Sequence, residues 1–268
     1  MKIPRDLLLQ LLGVTKREQT INGKAQAQVT GCVLTLGDKR LSTTSIVKDG
    51  KTSLSRFSFT CDDDSESTIP VPDIDRLMGV LKYHGEVVKL SYDNETSKVL
   101  IKSKSKQTTL VGGLSAKAFP NSQQNLLEWH KASIERAAQI KGSSYVMANG
   151  ESRSPFTTIT VGSEVLHDAL RCDGMNGQKL NRYTFTLKDG DVVVTVGDHF
   201  KGLTETTIAT DYSDDNFEAV FEGGLENILK YYKGNVSLSF LDFKNEGQGT
   251  RLIMSFDNGD WVFQAGVL

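Results

Sequence analysis

Short runs of alternating or β-branched residues recur along the chain and predict a protein built mainly of strands. In the first half these runs cover residues 28–36, 40–47, 54–61, 87–92, 98–102 and 108–111, and in the second half residues 156–161, 182–187, 191–196, 204–210, 217–221, 236–241, 252–256 and 261–263. Tight-turn sequences follow three of them: Lys48-Asp49-Gly50, Lys188-Asp189-Gly190 and Asp257-Asn258-Gly259-Asp260. Such residues accept the positive φ of hairpin turns, so antiparallel sheet is predicted.

Four segments inside this strand-rich body have helical periodicity, and they form two pairs. The predicted helices cover residues 5–14, 73–83, 163–172 and 225–233. In the second helix Ile74, Leu77 and Leu81 share one face. Ser163 is the predicted N-cap of the third helix, and Gly234 is a predicted C-cap after the fourth.

The second and fourth predicted helices, with the strands that follow them, have similar sequences. LMGVLKYHGEVVKLSY covers residues 77–92 and LENILKYYKGNVSLSF covers residues 225–240, an offset of 148 residues. Each copy has the same order of elements: a helix, several strands, a helix and three strands. This predicts an α+β fold of two tandem domains, residues 1–113 and 156–268, each an antiparallel sheet layer with two helices on one face.

Residues 114–155 form a predicted connector rich in Gln, Asn, Ser, Ala and Gly. It contains one predicted helix, residues 123–140, capped by Ser122. Apolar residues of this helix include Leu126, Leu127 and Ile134. Packing of the helix against the outside of a sheet is favoured over a free docking arm.

Composition narrows the class of protein. The chain has 268 residues, 38% hydrophobic and 24% charged, as folded globular proteins do. Because no apolar run reaches the length of a membrane span and the N-terminus lacks a signal-peptide cleavage pattern, we expect no membrane partner. The expected location is cytoplasmic in a prokaryotic or phage-infected cell, or nuclear in a eukaryote. The net charge of −2 means that any DNA-binding surface requires segregated positive charge.

The sequence offers no catalytic or metal-binding constellation. Cys32, Cys61 and Cys172 form no CxxC pair, and the four histidines are scattered. The acidic run at residues 62–66 is typical of a solvated turn. We therefore expect no enzymatic activity, no cofactor and no metal.

Lys102, Lys104 and Lys106 alternate along a predicted strand. One interpretation is a solvated edge that discourages aggregation. The other is a patch that faces DNA or a partner protein.

The doubled order of elements, a Leu-Lys-Tyr helix end before a G-x-Φ-x-Φ strand, and an apolar C-terminal hairpin resemble the DNA polymerase sliding clamps. The nearer resemblance is to the two-domain kind, the proliferating cell nuclear antigen and the processivity clamps of T-even-type phages. It covers residues 1–113 and 156–268 and is strongest at residues 73–104 and 217–240.

The resemblance implies a DNA polymerase processivity factor without catalytic activity. A homotrimer would close a ring of six domains around double-stranded DNA and tether a replicative polymerase and other DNA enzymes, after assembly by a clamp loader. The helices would line the hole and contact phosphates without reading bases. The basic residues that the resemblance places there are Arg5, Lys16, Arg17, Arg76, Lys82, Arg171, Lys230 and Lys233.

The resemblance also implies two protein-binding surfaces. Subunits would join through edge strands at residues 107–112 and 202–210. Partner peptides would dock in an apolar pocket between the connector and the last strand. Its candidate residues are Leu41, Ile46, Leu126, Leu127, Phe263 and Val267.

Two alternatives remain open. One is a clamp relative that does not form a homotrimer, either a monomeric viral processivity subunit or a subunit of a heteromeric checkpoint-type clamp. The other is an unrelated enzyme or scaffold with a duplicated domain. The first would lack a self-complementary edge, and the second would need a convergent cluster of His, Cys and carboxylate side chains.

Overall fold

The computed structural model describes residues 1–21, 24–46, 53–111, 122–173, 175, 182–198, 202–243 and 249–267. The chain divides into two compact units. Unit 1 comprises Met1–Lys16, Val29–Gly50 and Leu54–Ala138, and unit 2 comprises Arg17–Gln28, Lys51–Ser53 and Gln139–Leu268. The division after Ala138 lies within the predicted connector. Strands β1 to β21 and helices α1 to α5 are numbered in chain order.

The elements up to Ala138 are β1 (Lys2–Pro4), α1 (Arg5–Thr15), β2 (Arg17–Ile21), β3 (Lys24–Val29), β4 (Cys32–Gly37), β5 (Arg40–Ile46), β6 (Ser53–Thr60), β7 (Ser67–Val71), α2 (Ile74–Leu81), β8 (Val87–Asp93), β9 (Lys98–Lys102), β10 (Gln107–Val111) and α3 (Ser122–Ala137). In unit 1 one antiparallel sheet has the strand order β1-β8-β9-β10, and a second joins β7, β4, β5 and β6 in that order. β2 and β3 form a separate two-stranded sheet.

The elements after Ala138 are β11 (Ile140–Lys141), β12 (Ser144–Val146), β13 (Ser152–Arg153), β14 (Thr157–Gly162), α4 (Ser163–Arg171), β15 (Arg182–Lys188), β16 (Asp191–Asp198), β17 (Gly202–Ala209), β18 (Phe217–Glu222), α5 (Glu226–Leu229), β19 (Asn235–Asp242), β20 (Thr250–Phe256) and β21 (Trp261–Val267). Pairing gives the order β14-β19-β20-β21 and the order β18-β15-β16-β17. A short pairing of β18 with β21 joins these two groups.

The two units therefore repeat one topology, strand for strand. β1, β8, β9 and β10 correspond to β14, β19, β20 and β21, and α1 and α2 correspond to α4 and α5. The offset falls from 158 residues at the start of the first helix to 148 at the second. The α+β fold of duplicated antiparallel sheets with two helices each is confirmed, with the addition that each unit contains two four-stranded groups.

Apolar side chains fill both units beneath the helices. In unit 1 Leu8, Leu34 and Phe57 are fully buried. In unit 2 Phe185 is also buried, and its ring centroid lies 5.9 Å from that of Phe221 at an interplanar angle of 72°. Burial of each such side chain contributes about 1.5–3 kcal/mol to folding.

Three predicted boundaries differ from the structure for identifiable reasons. The predicted strand 28–36 is interrupted at residues 30–31, where the Thr30 carbonyl accepts a hydrogen bond from the N–H of Ile74 at 2.8 Å and a Cβ on residue 31 would lie 2.9 Å from the carbonyl oxygen of Val71. α5 ends at Leu229, since the N–H groups of Tyr231 and Tyr232 donate to carbonyls three residues back rather than four. Ser163 is the first helical residue of α4, and the N-cap position belongs to Gly162.

The first part of the predicted connector packs on unit 1. α3 contacts β5 and β7, which confirms packing against a sheet over a free arm. The second part forms the small sheet β11-β12-β13 in unit 2. The predicted turn at residues 48–50 lies outside the described residues, whereas Asp189 and Gly190 adopt positive φ as predicted.

Candidate functional site

The two helices of each unit run antiparallel, with the start of the first beside the end of the second. The N–H of Arg5 donates to the carbonyl of Glu86 at 2.7 Å, and in unit 2 the N–H of Ser163 donates to the carbonyl of Gly234 at 2.8 Å. At the other end of the unit 1 pair, Lys16 Nζ lies 2.8 Å from Asp75 Oδ1. The same backbone contact thus orients the helix pair twice in one chain.

Side chains reinforce this contact differently in the two units. Arg5 Nη1 donates to the carbonyl of His84 at 3.0 Å, and Ser163 Oγ donates to the carbonyl of Tyr232 at 3.0 Å. Arg5 also pairs with Asp6 at 2.9 Å, and its side chain is 27% exposed. Arg5 therefore braces the helix pair, and it is a weaker candidate for phosphate contact than a free lysine.

The residue three positions after the end of the second helix anchors that helix end to the last hairpin of each unit. His84 is buried, with its ring nitrogens 3.0 Å from Ser103 Oγ and 3.0 Å from Thr108 Oγ1. At the equivalent position the Tyr232 hydroxyl donates to Asp260 Oδ2 at 2.6 Å. Burial, aided by Lys106, lowers the pKa of His84. Burial and the Asp260 carboxylate raise the pKa of Tyr232.

Lysines occupy the C-cap of the second helix in both units. Lys82 follows α2 and Lys230 follows α5, and both are exposed. An aromatic residue follows each: Tyr83 is 73% exposed, and the Tyr231 ring lies 5.2 Å from Lys230 Nζ. The repeated Lys-Tyr pair therefore presents its charge to solvent twice.

The remaining predicted phosphate-contacting residues divide into exposed and restrained side chains. Arg76 on α2 and Lys233 after α5 are exposed. Arg171 ends α4, is also exposed, and its Nε lies 3.2 Å from Asp168 Oδ1. Lys16 is half-buried against Asp75. Arg17 lies in β2, and its side chain is outside the described residues.

The helix surfaces are not uniformly basic, which the sequence pattern did not anticipate. Each of these four helices has an acidic residue in its first turn: Asp6, Asp75, Glu164 and Glu226. Lysine or arginine lies at the opposite end of each. This polarity matches the helix macrodipole, which favours anions at the N-terminus and cations at the C-terminus. The exceptions are Arg5 and Arg76, which lie in the first turns of α1 and α2.

Solved structures of other proteins share this architecture. The DNA polymerase III β subunit of Pseudomonas aeruginosa matches with a TM-score of 0.64 and 15% identity, over 100% of this chain and 64% of that chain. The chain has the sliding-clamp fold. The Bacillus subtilis sliding clamp gives a TM-score of 0.62 at 15% identity, and the Streptococcus pneumoniae β chain gives 0.61 at 16%, each over 100% of this chain and 64% of theirs.

This chain spans 64% of the length of each of these solved chains. At 15–16% identity, the similarity is one of fold. No protein-family model matches the chain, and no curated protein matches it in sequence.

The six predicted peptide-pocket residues fall in both units. In unit 1 Leu41 of β5 is completely buried, so its side chain is not accessible for the predicted contact with a docking peptide. The side chains of Ile46, Leu126 and Leu127 are outside the described residues. In unit 2 Phe263 is buried and Val267 is 37% exposed.

An aromatic cluster in unit 2 was missed by the sequence analysis. Tyr145 of β12 stacks on Phe263 with centroids 5.2 Å apart and meets the edge of Phe243 at 5.9 Å. The Arg251 guanidinium lies 4.8 Å from the Phe243 ring centroid. The connector hairpin is thereby fixed to the C-terminal strands. Tyr145 lies in a segment without clear periodicity, so only its isolated aromatic character could have signalled this contact.

Within the described part of the chain, no group of three or more His, Cys, Asp or Glu side chains is arranged to hold a metal ion. Likewise, none of the described helices is both long and apolar enough to cross a membrane.

Proposed function

We propose that the protein is a non-enzymatic DNA sliding clamp that encircles duplex DNA and tethers a DNA polymerase. The observation that carries this proposal is the duplicated clamp fold, in which an exposed lysine caps the second helix of both units. The proposed phosphate contacts are Lys82 and Lys230, with Arg76, Arg171 and Lys233 beside them. Arg5 and Lys16 serve mainly to hold the helix pair in place.

Weak contacts are sufficient for this function. A closed ring stays on DNA by topology, so a few lysine contacts that are indifferent to sequence allow it to slide. Mixed charge on the helices supports the same conclusion, because it limits tight binding at any one position. The proposed partners are duplex DNA, a polymerase and a clamp loader.

We propose a homotrimer as the closed form. Two clamp units in each chain give six in three chains, whereas the solved neighbours are longer chains. The edge strands β10 and β17 supply the proposed subunit contact, since each lies at the edge of its sheet in a single chain. Residue 112 of the predicted edge segment lies outside the described residues.

Partner peptides would dock on unit 2 near the exposed end of β21. Val267 remains the accessible candidate there, and the hairpin held by Tyr145 lies on the same unit. Leu126 and Leu127 of the predicted connector are further candidates for this pocket.

The absolute mass of the purified protein, measured by light scattering across dilution, tests the ring. A mass three times the 29.5 kDa of one chain is expected at micromolar concentration. A dimer would contradict six-unit closure. A monomer at every concentration would favour the monomeric or heteromeric relative instead.

A further inference from the structure

The sheet β1-β8-β9-β10 of unit 1 has one buried face and one solvent face. Val88, Leu90 and Ile101 are completely buried. Lys89, between Val88 and Leu90, and Lys102, next to Ile101, are exposed. The two lysines therefore project from the face opposite the core, since successive strand residues alternate sides.

Strand register places three lysines side by side on that solvent face. Lys2 is the cross-strand partner of Lys89, and Lys89 is the partner of Lys102. We call Lys2, Lys89 and Lys102 the lysine row. All three are exposed, and at a strand spacing of about 4.8 Å the row spans about 10 Å.

Two more lysines extend the charge beyond the row. β9 ends at Lys102, and the N–H of Ser103 donates to the carbonyl of Lys106 at 2.8 Å to close a turn. Lys104 and Lys106 are exposed on this turn. The sequence-based expectation that Lys102, Lys104 and Lys106 alternate along one strand is therefore wrong, because the strand ends at Lys102.

Like charges directly opposite one another destabilise a sheet. In the described part of the chain, no carboxylate forms an ion pair with a member of the lysine row. The nearby Asp63 carboxylate accepts hydrogen bonds from the backbone N–H groups of Lys2 and Ser65. Folding alone thus gives no reason for three adjacent lysines.

Unit 2 shows that the fold does not need them. The register there pairs Thr160 with Ser237 and Ser237 with Ser255. These residues occupy the positions of Lys2, Lys89 and Lys102 in the duplicated topology, and we call them the neutral row. Thr160 Oγ1 and Ser237 Oγ lie 3.4 Å apart within hydrogen-bonding distance, and none of the three side chains is charged.

We propose that the lysine row binds the phosphodiester backbone of a nucleic-acid strand outside the proposed central hole. Lysine is a flexible point charge suited to phosphates. A strand with a rise of about 3.4 Å per nucleotide would place about three nucleotides along the row. The row contains none of the helix-end lysines, so this site is separate from the contacts of the proposed function.

The chemistry of the face favours nucleic acid over a protein partner. Protein interfaces usually need a buried apolar or aromatic anchor. Of the large apolar residues on β1, β8, β9 and β10 with described side chains, only Val87 is exposed. Leu100 is half-buried on this face, between Ser91 and Thr109. The rest of the face is mainly lysine, serine, threonine and glutamine, which suits contacts with phosphate.

The test replaces the lysine row with the residues of the neutral row, as Lys2→Thr, Lys89→Ser and Lys102→Ser together. The probe is a fluorescent single-stranded oligodeoxythymidine of about 12 nucleotides, a typical single-strand site size. At low salt the dissociation constant should rise at least about tenfold. The slope of log affinity against log salt should fall by about 2, because each lost contact removes about 0.7.

A matched control loses the same charge elsewhere, at the exposed lysines Lys131, Lys141 and Lys188, each changed to Ser. This control should retain most of the affinity. Equal losses in both variants would mean that only net charge matters and would overturn the site. Unchanged affinity in the row variant would overturn it as well.

Competition with polyglutamate separates the two classes of partner. If polyglutamate displaces the oligonucleotide at equal charge concentration, and the row variant loses both ligands, the occupant is an acidic polypeptide and the phosphate proposal fails.

The melting temperature checks that the variants are folded, and the row variant should melt no lower than the wild type. As a second variant, Lys89→Glu alone should abolish oligonucleotide binding while its neighbours pair with it.

The test of the lysine row does not depend on whether the chain forms a closed ring. A monomer by light scattering with row-dependent oligonucleotide binding would refute the homotrimer and leave this site standing.

Discussion

At the scale of single residues, His84 shows how one side chain couples helix position to protonation. Its ring joins the end of α2 to the β9–β10 hairpin through Ser103 and Thr108, while Arg5 holds its carbonyl. Lys106 is the charged group that faces the ring. Because burial and this lysine lower the pKa of His84, the folded protein favours the neutral imidazole.

Stability should therefore fall in mildly acidic solution. In the unfolded chain His84 takes up a proton at about pH 6.5, whereas in the folded chain it does so only at lower pH. The contribution of neutral His84 to stability is fully present above the pKa of His84 in the unfolded chain. It is lost as the pH falls from there through the pKa of His84 in the folded chain. Urea unfolding of wild type and His84→Asn across this range measures the effect. The Asn variant should lose less stability on acidification, and an identical pH dependence would contradict the assignment.

At the scale of elements, the polarity of each helix has two explanations that an experiment can separate. A lysine at a helix C-terminus stabilises the macrodipole by about 0.3–1 kcal/mol at an exposed position. The same lysine can contact DNA. The first role would affect only unfolding, while the second would affect binding.

The double variant Lys82→Ala/Lys230→Ala addresses both roles. We expect a modest loss of stability and a clear loss of affinity for duplex DNA, with the salt slope reduced by about 1.8 per chain, or about 0.9 for each of the two contacts removed. Lys131→Ala/Lys188→Ala is the control with equal charge. Fluorescence anisotropy over a salt series gives the slope. An unchanged slope in the double variant would leave the macrodipole as the sole role of these lysines.

Most of the element order was predictable from the sequence, and the reasons for the failures are local. Alternation and turn residues located β15 and β16 because Asp189-Gly190 has clear turn chemistry. The interruption at residues 30–31 lies where Gly31 approaches the distant Val71 carbonyl, a contact that periodicity along the chain does not encode. α5 is short because the N–H groups of Tyr231 and Tyr232 donate to carbonyls three residues back, which apolar periodicity does not reveal. The candidate site was less predictable, since charge type is visible in sequence but restraint of Arg5 by His84 is not.

At the scale of the whole molecule, the fold is that of a clamp in a chain shorter than the solved neighbours. Two repeated units leave the strands β10 and β17 at sheet edges. Unpaired edge strands readily pair with another chain unless they are protected. Leu203 on β17 is 39% exposed, as expected for an edge that is covered in an assembly.

Assembly should therefore depend on Leu203. The substitution Leu203→Asp should shift the proposed trimer to monomer, with at least about a tenfold rise in the dissociation constant, because a buried unpaired carboxylate is costly. Val165→Asp, at an apolar residue of similar exposure on α4, is the control. Analytical ultracentrifugation reports both. A trimer that survives Leu203→Asp but not Val165→Asp would place the subunit contact elsewhere.

The difference between the lysine row and the neutral row has a consequence for stoichiometry. The repeated topology supplies two geometrically equivalent surfaces per chain, but only one of them is charged. Titration with a short oligonucleotide should therefore saturate at one equivalent per chain, and at three per closed assembly rather than six.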